Sequence, residues 1–217
     1  MNRLCVAPII EGHGEVEAVG VLLRRVAAEM ASSTIQVVKP FRLPKGKLLP
    51  GRAGARRVDG QELRRALDTA STLLKYAESS ARKFAILICD ADEDLPCEIA
   101  PRILAEARVV RADLDLACVI ANREYETWFI AAAESLMKYL AVRPGDEAAM
   151  SDPEGRQSSK GARGEKWVSD RFRGPSYQKT VDQAKLTGAM DLTLCRARSP
   201  SFDKLCREVQ RRVVADE

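Results

Sequence analysis

Four short apolar runs, set between segments of helical spacing, constrain this chain more than any other feature. Residues 3 to 10, 34 to 43, 84 to 89 and 114 to 121 are dominated by apolar side chains, several of them β-branched. Between the first two, residues 15 to 31 place Val19, Leu22, Leu23, Val26 and Met30 on one helical face. Strands that alternate with helices need crossover connections and therefore pair in parallel. The order predicts an α/β fold with a central, mostly parallel four-stranded sheet flanked by helices. Phe84 to Cys89, apolar throughout and followed at once by acids, reads as a central strand. Asp59 is expected to cap a helix through about residue 79, and Pro96 to open another through about Ala107. Glu124 to Leu140 reads as a fourth helix, packed through Trp128, Phe129, Leu136 and Tyr139.

Beyond Val142 the composition changes. Pro144 to Lys166 is rich in Gly, Ser, Asp and Arg and reads as a long loop, and Gln178 to Met190 and Phe202 to Val213 as closing helices. The expected organisation is an α/β domain over 1–142, with a basic loop and helical C-terminal extension over 143–217 packed on it. The 6 cysteines include no C-x-x-C pair, so they read as reduced, mostly buried thiols rather than a disulfide framework or a zinc site. His13 is the only histidine, which excludes a His-rich metal centre and leaves open a metal bound through oxygen. No apolar run approaches the roughly 20 residues of a membrane span, and the start lacks the pattern of a secretory signal, so a cytoplasmic protein is expected.

The net charge of +4 is too small to declare a nucleic-acid partner. Its distribution says more. Arg42, Lys45, Lys47, Arg52, Arg56 and Arg57 crowd one stretch, and Arg156, Lys160, Arg163, Lys166, Arg171 and Arg173 another. Each could carry phosphate contacts, or each could be a solvated loop.

Two acidic signatures follow predicted strands: Glu11-Gly-His-Gly-Glu15 and Asp90-Ala-Asp92-Glu-Asp94. Carboxylates at the carboxyl ends of strands in an open α/β sheet sit where such folds bind ligands, and are suited to a divalent metal. A dinucleotide-binding reading of the glycine pair fails, because Glu17 stands where the third glycine belongs and Glu15 adds charge beside a pyrophosphate. The glycines would instead allow a tight turn that leaves Glu11 in the crevice and Glu15 at a helix start. An EF-hand reading of the second signature fails because Leu95 and Pro101 occupy the positions of its glycine and closing glutamate. Helix-dipole complementarity is the alternative role for Glu15 and Glu17, and helix capping for Asp94. Asp90, Asp92 and Asp94 would project to one side if extended, and could converge on one ion in a turn.

A strand-terminal Glu-Gly in the first βα unit, paired with a strand-terminal Asp-x-Asp in the third, resembles the Toprim domain of topoisomerases, DnaG-type primases and nucleases of the overcoming-lysogenisation-defect family. The segments Asn122-Arg-Glu124-Tyr-Glu126-Thr-Trp128-Phe and Tyr177-Gln-Lys179-Thr-Val-Asp182 are similar to those of a bacterial family of uncharacterised Toprim-like proteins, whose members are thought to work beside SMC-like or ABC-type ATPases in defence against phage. The resemblance implies a Toprim-like Rossmannoid fold and a magnesium-dependent nuclease acting on DNA or RNA, with manganese as the alternative ion. Glu11 would be metal ligand or general acid/base, and Asp90 and Asp92 would hold magnesium, with Glu15 and Asp94 as further ligands. Glu124, and less strongly Glu126, could complete a second metal position. Lys179 could offset charge at the scissile phosphate, or be an exposed lysine near a helix start. The resemblance also implies nucleic acid and an ABC/SMC-like ATPase as partners, with homo-oligomerisation open and no membrane. Two alternatives stand beside this reading. One is a phosphatase of the haloacid-dehalogenase type, built on Asp90-Ala-Asp92, and the other a non-catalytic partner subunit with a Toprim-like fold.

Overall fold

The computed structural model describes residues 3–77, 81–155 and 164–214. The first half runs β1 (Arg3–Ile10), α1 (Glu15–Arg25), β2 (Thr34–Val37), β3 (Phe41–Arg42), α2 (Lys45–Leu48), α3 (Gly60–Lys75), β4 (Arg82–Asp90), α4 (Pro96–Val110) and β5 (Leu116–Ala121). Helices α5 (Thr127–Ala131), α6 (Glu147–Ser151), α7 (Gly164–Arg171), α8 (Lys179–Ala189), α9 (Leu192–Arg198) and α10 (Pro200–Val214) follow. The sheet is parallel, in the order β2-β1-β4-β5. β3 pairs with the last two residues of β1, beyond the end of β2. The single strand expected over 34–43 is thus split into two, around Pro40, which has no N–H to give to a ladder. That split makes five strands of the expected four.

Side chains alternate across the strands and so build two cores. Leu4, Val6 and Ile10 of β1, Phe84, Ile86 and Ile88 of β4, and Val119 of β5 share one core with Leu22, Leu186, Phe202, Leu205 and Val209 of α1, α8 and α10. Cys5, Ala7 and Ile9, Ala85 and Leu87, and Cys118 and Ile120 face the other way, onto Leu63, Leu67 and Leu74 of α3, Ile99 and Ile103 of α4, and Leu43, Leu48 and Leu49 around α2. Each such leucine or phenylalanine contributes about 1.5–3 kcal/mol on burial, which is what fixes the helices to the sheet. Arg212 of α10 is buried against the strands: its guanidinium lies 4.7 Å from the centroid of Phe84 and pairs with Asp115 and Glu208.

The segment expected as a helix over 124–140 is a short α5 followed by a 3₁₀ turn over Ala133–Leu136. Every residue from Tyr125 to Ala133 is buried. A segment wrapped on all sides by α6, α7 and α9 has no solvent face to support a long amphipathic helix. Trp128 and Phe129 are core residues. The expected loop over 144–166 holds α6 and the first turn of α7, its residues 156–163 lying outside the described ones, and α9 had no counterpart in the expectation. All six cysteines are free thiols, and all but Cys97 are buried. No helix among the described residues is long and apolar enough to cross a membrane.

Candidate active site at the carboxyl ends of the strands

β1 and β4 run side by side with Ile10 in register with Ile88, so Glu11 and Asp90 emerge at the same end of the sheet. Glu11 Oε2 accepts a 3.3 Å hydrogen bond from the backbone N–H of Asp90, which ties the two strand ends together. Glu15, at the first turn of α1, folds back: its Oε2 accepts from the N–H groups of Glu11 and Gly12, both at 3.0 Å. Its carboxylate therefore shapes the loop as well as carrying charge. Gly14 is required by a close approach rather than by an unusual turn. Its φ is −62°, and a Cβ there would come within 2.5 Å of Gln183 Oε1 and 2.7 Å of Lys179 Cβ on α8.

Asp90 is in step with Phe84, Ile86 and Ile88, so it faces the layer that holds α8. Its Oδ1 accepts a 2.8 Å bond from the N–H of Tyr125. The next residue, Glu126, is fully buried, and its Oε1 accepts from Tyr177 Oη at 3.0 Å and Gln183 Nε2 at 3.4 Å. Glu126 Oε2 has no hydrogen-bond donor, and Lys179 Nζ stands 3.4 Å away. Lys179 also pairs with Glu165 at 3.1 Å. A second glycine permits this approach: a Cβ on Gly164 would lie 2.8 Å from Thr127 N.

These acids perturb one another. Burial, then the charges of Glu15, Glu126 and Glu11, pushes the Asp90 pKa well above the ordinary aspartate range. Glu15 is raised by burial and by Glu11 and Glu126, while Glu11 is raised by burial and by Asp92. Burial raises Glu126 against the pull of Lys179, and Lys179 is itself raised by Glu126 and Asp90 against its own burial.

Asp92 and Asp94 are placed differently. After β4 the chain turns through Asp92 at φ +51°, held by a 2.9 Å bond from Asp92 N–H to the carbonyl of Arg123. Lys45, only 3% exposed on α2, reaches Asp92 Oδ2 at 2.9 Å, Asp94 Oδ2 at 3.1 Å and the carbonyl of Ala91 at 2.5 Å. Asp94 also accepts from Arg56 Nε at 2.7 Å and Gly54 N–H at 3.2 Å. The hydrogen bond and charge of Lys45, together with Gly54 and Arg56, outweigh the burial of Asp94 and hold its pKa below the ordinary range. Glu124 accepts from the N–H of Glu165 at 2.7 Å.

Of the residues singled out in the sequence, Glu11, Glu15, Asp90 and Lys179 thus share one electrostatic neighbourhood, Asp92 and Asp94 are ion-paired with Lys45, and Glu124 supports α7. Glu126, a lesser candidate in the sequence, belongs to the same neighbourhood, and its partners Tyr177 and Gln183, to which no role was assigned, lie close to Lys179 in sequence. Of the basic clusters, Lys45 and Arg56 are spent on these aspartates, and Arg42 Nη1 lies 2.6 Å from His13 Nε2. In the other cluster Lys166 pairs with Asp170 and Arg171 with Asp146, while Arg156, Lys160 and Arg163 lie outside the described residues.

Among the described residues, no group of three or more His, Cys, Asp or Glu side chains is arranged to hold a metal ion. Magnesium does not require one, since it commonly keeps several waters and binds through one or two carboxylates together with substrate phosphates. Glu11 and Asp90, with Glu15 and Glu126 near enough to raise the Asp90 pKa and Lys179 as a cation beside them, are a carboxylate set whose chemistry fits such an ion.

Comparison with known families matches residues 10–210 to the family described as a domain of unknown function, DUF4276, and the chain belongs to it. No curated protein and no solved structure matches.

Proposed function

We propose that this member of the DUF4276 family is a magnesium-dependent nuclease of Toprim type that hydrolyses phosphodiester bonds of DNA or RNA, with manganese able to replace magnesium. The observation that carries the reading is the convergence of Glu11, Glu15, Asp90 and Glu126 at adjacent strand ends, each with its pKa raised. A protein that gathers buried like charges pays stability for them, and perturbed groups of this kind cluster at functional sites. Bound there, the ion would polarise a phosphoryl oxygen and make its water a better nucleophile.

The chain's own residues would divide the work. Glu11 and Asp90 would hold the ion, and Glu15 fixes the turn that carries Glu11 through the loop N–H groups. Lys179, one-third exposed at its side chain, offers a cation to the phosphate while its contact with Glu126 keeps it in place. Exposed Lys47, Arg52 and Arg57 would contact the backbone of the nucleic acid. The phosphatase alternative, built on Asp90-Ala-Asp92, is disfavoured because Asp92 is bound to Lys45. A cytoplasmic location and an ABC/SMC-like ATPase partner in phage defence complete the proposal.

Titration of magnesium and manganese against plasmid DNA, single strands and tRNA tests it, comparing the wild type with Asp90→Asn. Cleavage that needs the metal and is lost in the variant supports the reading. Equal cleavage by both proteins, or none on any substrate, overturns it.

A further inference from the structure

Lys45 is a buried cation on a segment that presents most of its charges to solvent. Its neighbours in the basic stretch, Lys47, Arg52 and Arg57, are exposed, whereas its own side chain is 3% exposed and ends among Asp92, Asp94 and the carbonyl of Ala91. Arg56 and the N–H of Gly54 close the same contact from the far end of the loop, on Asp94. The segment over 44–58 is therefore fastened at both ends to the acidic turn after β4.

We propose that Lys45 is a positioning residue that serves as the resident cation of Asp92 and Asp94, so that these two aspartates tether the basic segment and the divalent ion is left to Glu11 and Asp90. The inference rests on the proposed metal site, and it departs from the expectation that both aspartates of Asp90-Ala-Asp92 bind the ion. The chemistry favours the division. An ammonium at 2.9–3.1 Å from both carboxylates neutralises charge that a second cation would otherwise seek. The left-handed backbone at Asp92 aims its side chain toward α2 rather than alongside Asp90. The tether also sets where Arg52 and Arg57 stand relative to the strand ends, and so where a nucleic-acid backbone would lie.

Manganese binding followed by the electron paramagnetic resonance of the free ion tests the division. Asp90→Asn is expected to weaken binding by about tenfold or more, and Asp92→Asn to stay within about twofold of wild type. Lys45→Met, which strips Asp92 of its cation, is expected to bind manganese more tightly, a result that a purely structural lysine would not give. Limited trypsin digestion reads the tether without any metal, with Lys45→Met cut after Arg52 and Arg57 about fivefold faster than wild type. Asp92 is half exposed, so Asp92→Asn decides the matter even where Lys45→Met does not fold. Loss of manganese affinity in Asp92→Asn equal to that in Asp90→Asn would overturn the proposal. Wild-type protein that binds no manganese would overturn the metal site and with it the division of ligands, leaving the tether to stand or fall on the trypsin result.

Discussion

The two flanks of the β4 terminus carry similar charges and treat them in opposite ways. On the side of α8, Asp90, Glu15 and Glu126 are crowded together with Lys179 as partner to only part of the charge, and their pKa values are driven up. On the side of α2, Asp92 and Asp94 are matched by Lys45 and Arg56, and Asp94 is driven down. Two residues of sequence, from Asp90 to Asp92, separate a frustrated cluster from a satisfied one. Acid content alone therefore says little about a site; what distinguishes the flanks is whether cations arrive from elsewhere in the chain.

The sharpest way to break this comparison is to neutralise each flank in turn. Asp90→Asn should reduce metal-dependent cleavage by about 100-fold or more, measured as initial rate at saturating magnesium. Asp94→Asn should destabilise the fold by about 3 kcal/mol in urea denaturation, because it leaves Lys45 and Arg56 short of a partner in a buried setting. The sign with pH follows from the lowered value: the contribution of Asp94 is present above its ordinary pKa and is lost as pH falls through the folded one. Gly14→Ala should cost about 1–3 kcal/mol and also slow cleavage, since its Cβ would push Lys179 and Gln183 away from Glu126. Asp59→Ala removes the two hydrogen bonds that cap α3 and should cost about 1 kcal/mol without changing manganese affinity.

Much of this architecture is legible in the residues. The order of apolar runs dictated the parallel sheet, and Phe84 to Cys89 lies within its central β4. The placement of Glu11 and Asp90 at one end followed from strand direction alone. What sequence could not supply was the side to which each acid turns. That depends on a left-handed residue at Asp92 and on a lysine 47 positions earlier that nothing local distinguishes from its exposed neighbours. The same limit applies to Glu126. It stands at the start of the expected helix, where acids are common, whereas α7 and α8, brought in by Gly164 and Gly14, bury it completely. The helix expected over 124–140 fails for a related reason, because long-range burial replaced the amphipathic pattern that local spacing implied.

Thermal unfolding of wild type and Asp90→Asn across pH, with and without magnesium, tests the frustrated cluster most directly. A carboxyl whose folded pKa is raised destabilises the fold above that pKa, and the penalty fades as pH falls toward its ordinary value. The account predicts that Asp90→Asn melts higher than wild type at pH 7 without metal, that this advantage shrinks on acidification, and that magnesium raises the wild-type melting temperature while leaving the variant unmoved. A variant that melts lower than wild type at neutral pH, with both proteins responding alike to magnesium, would contradict it.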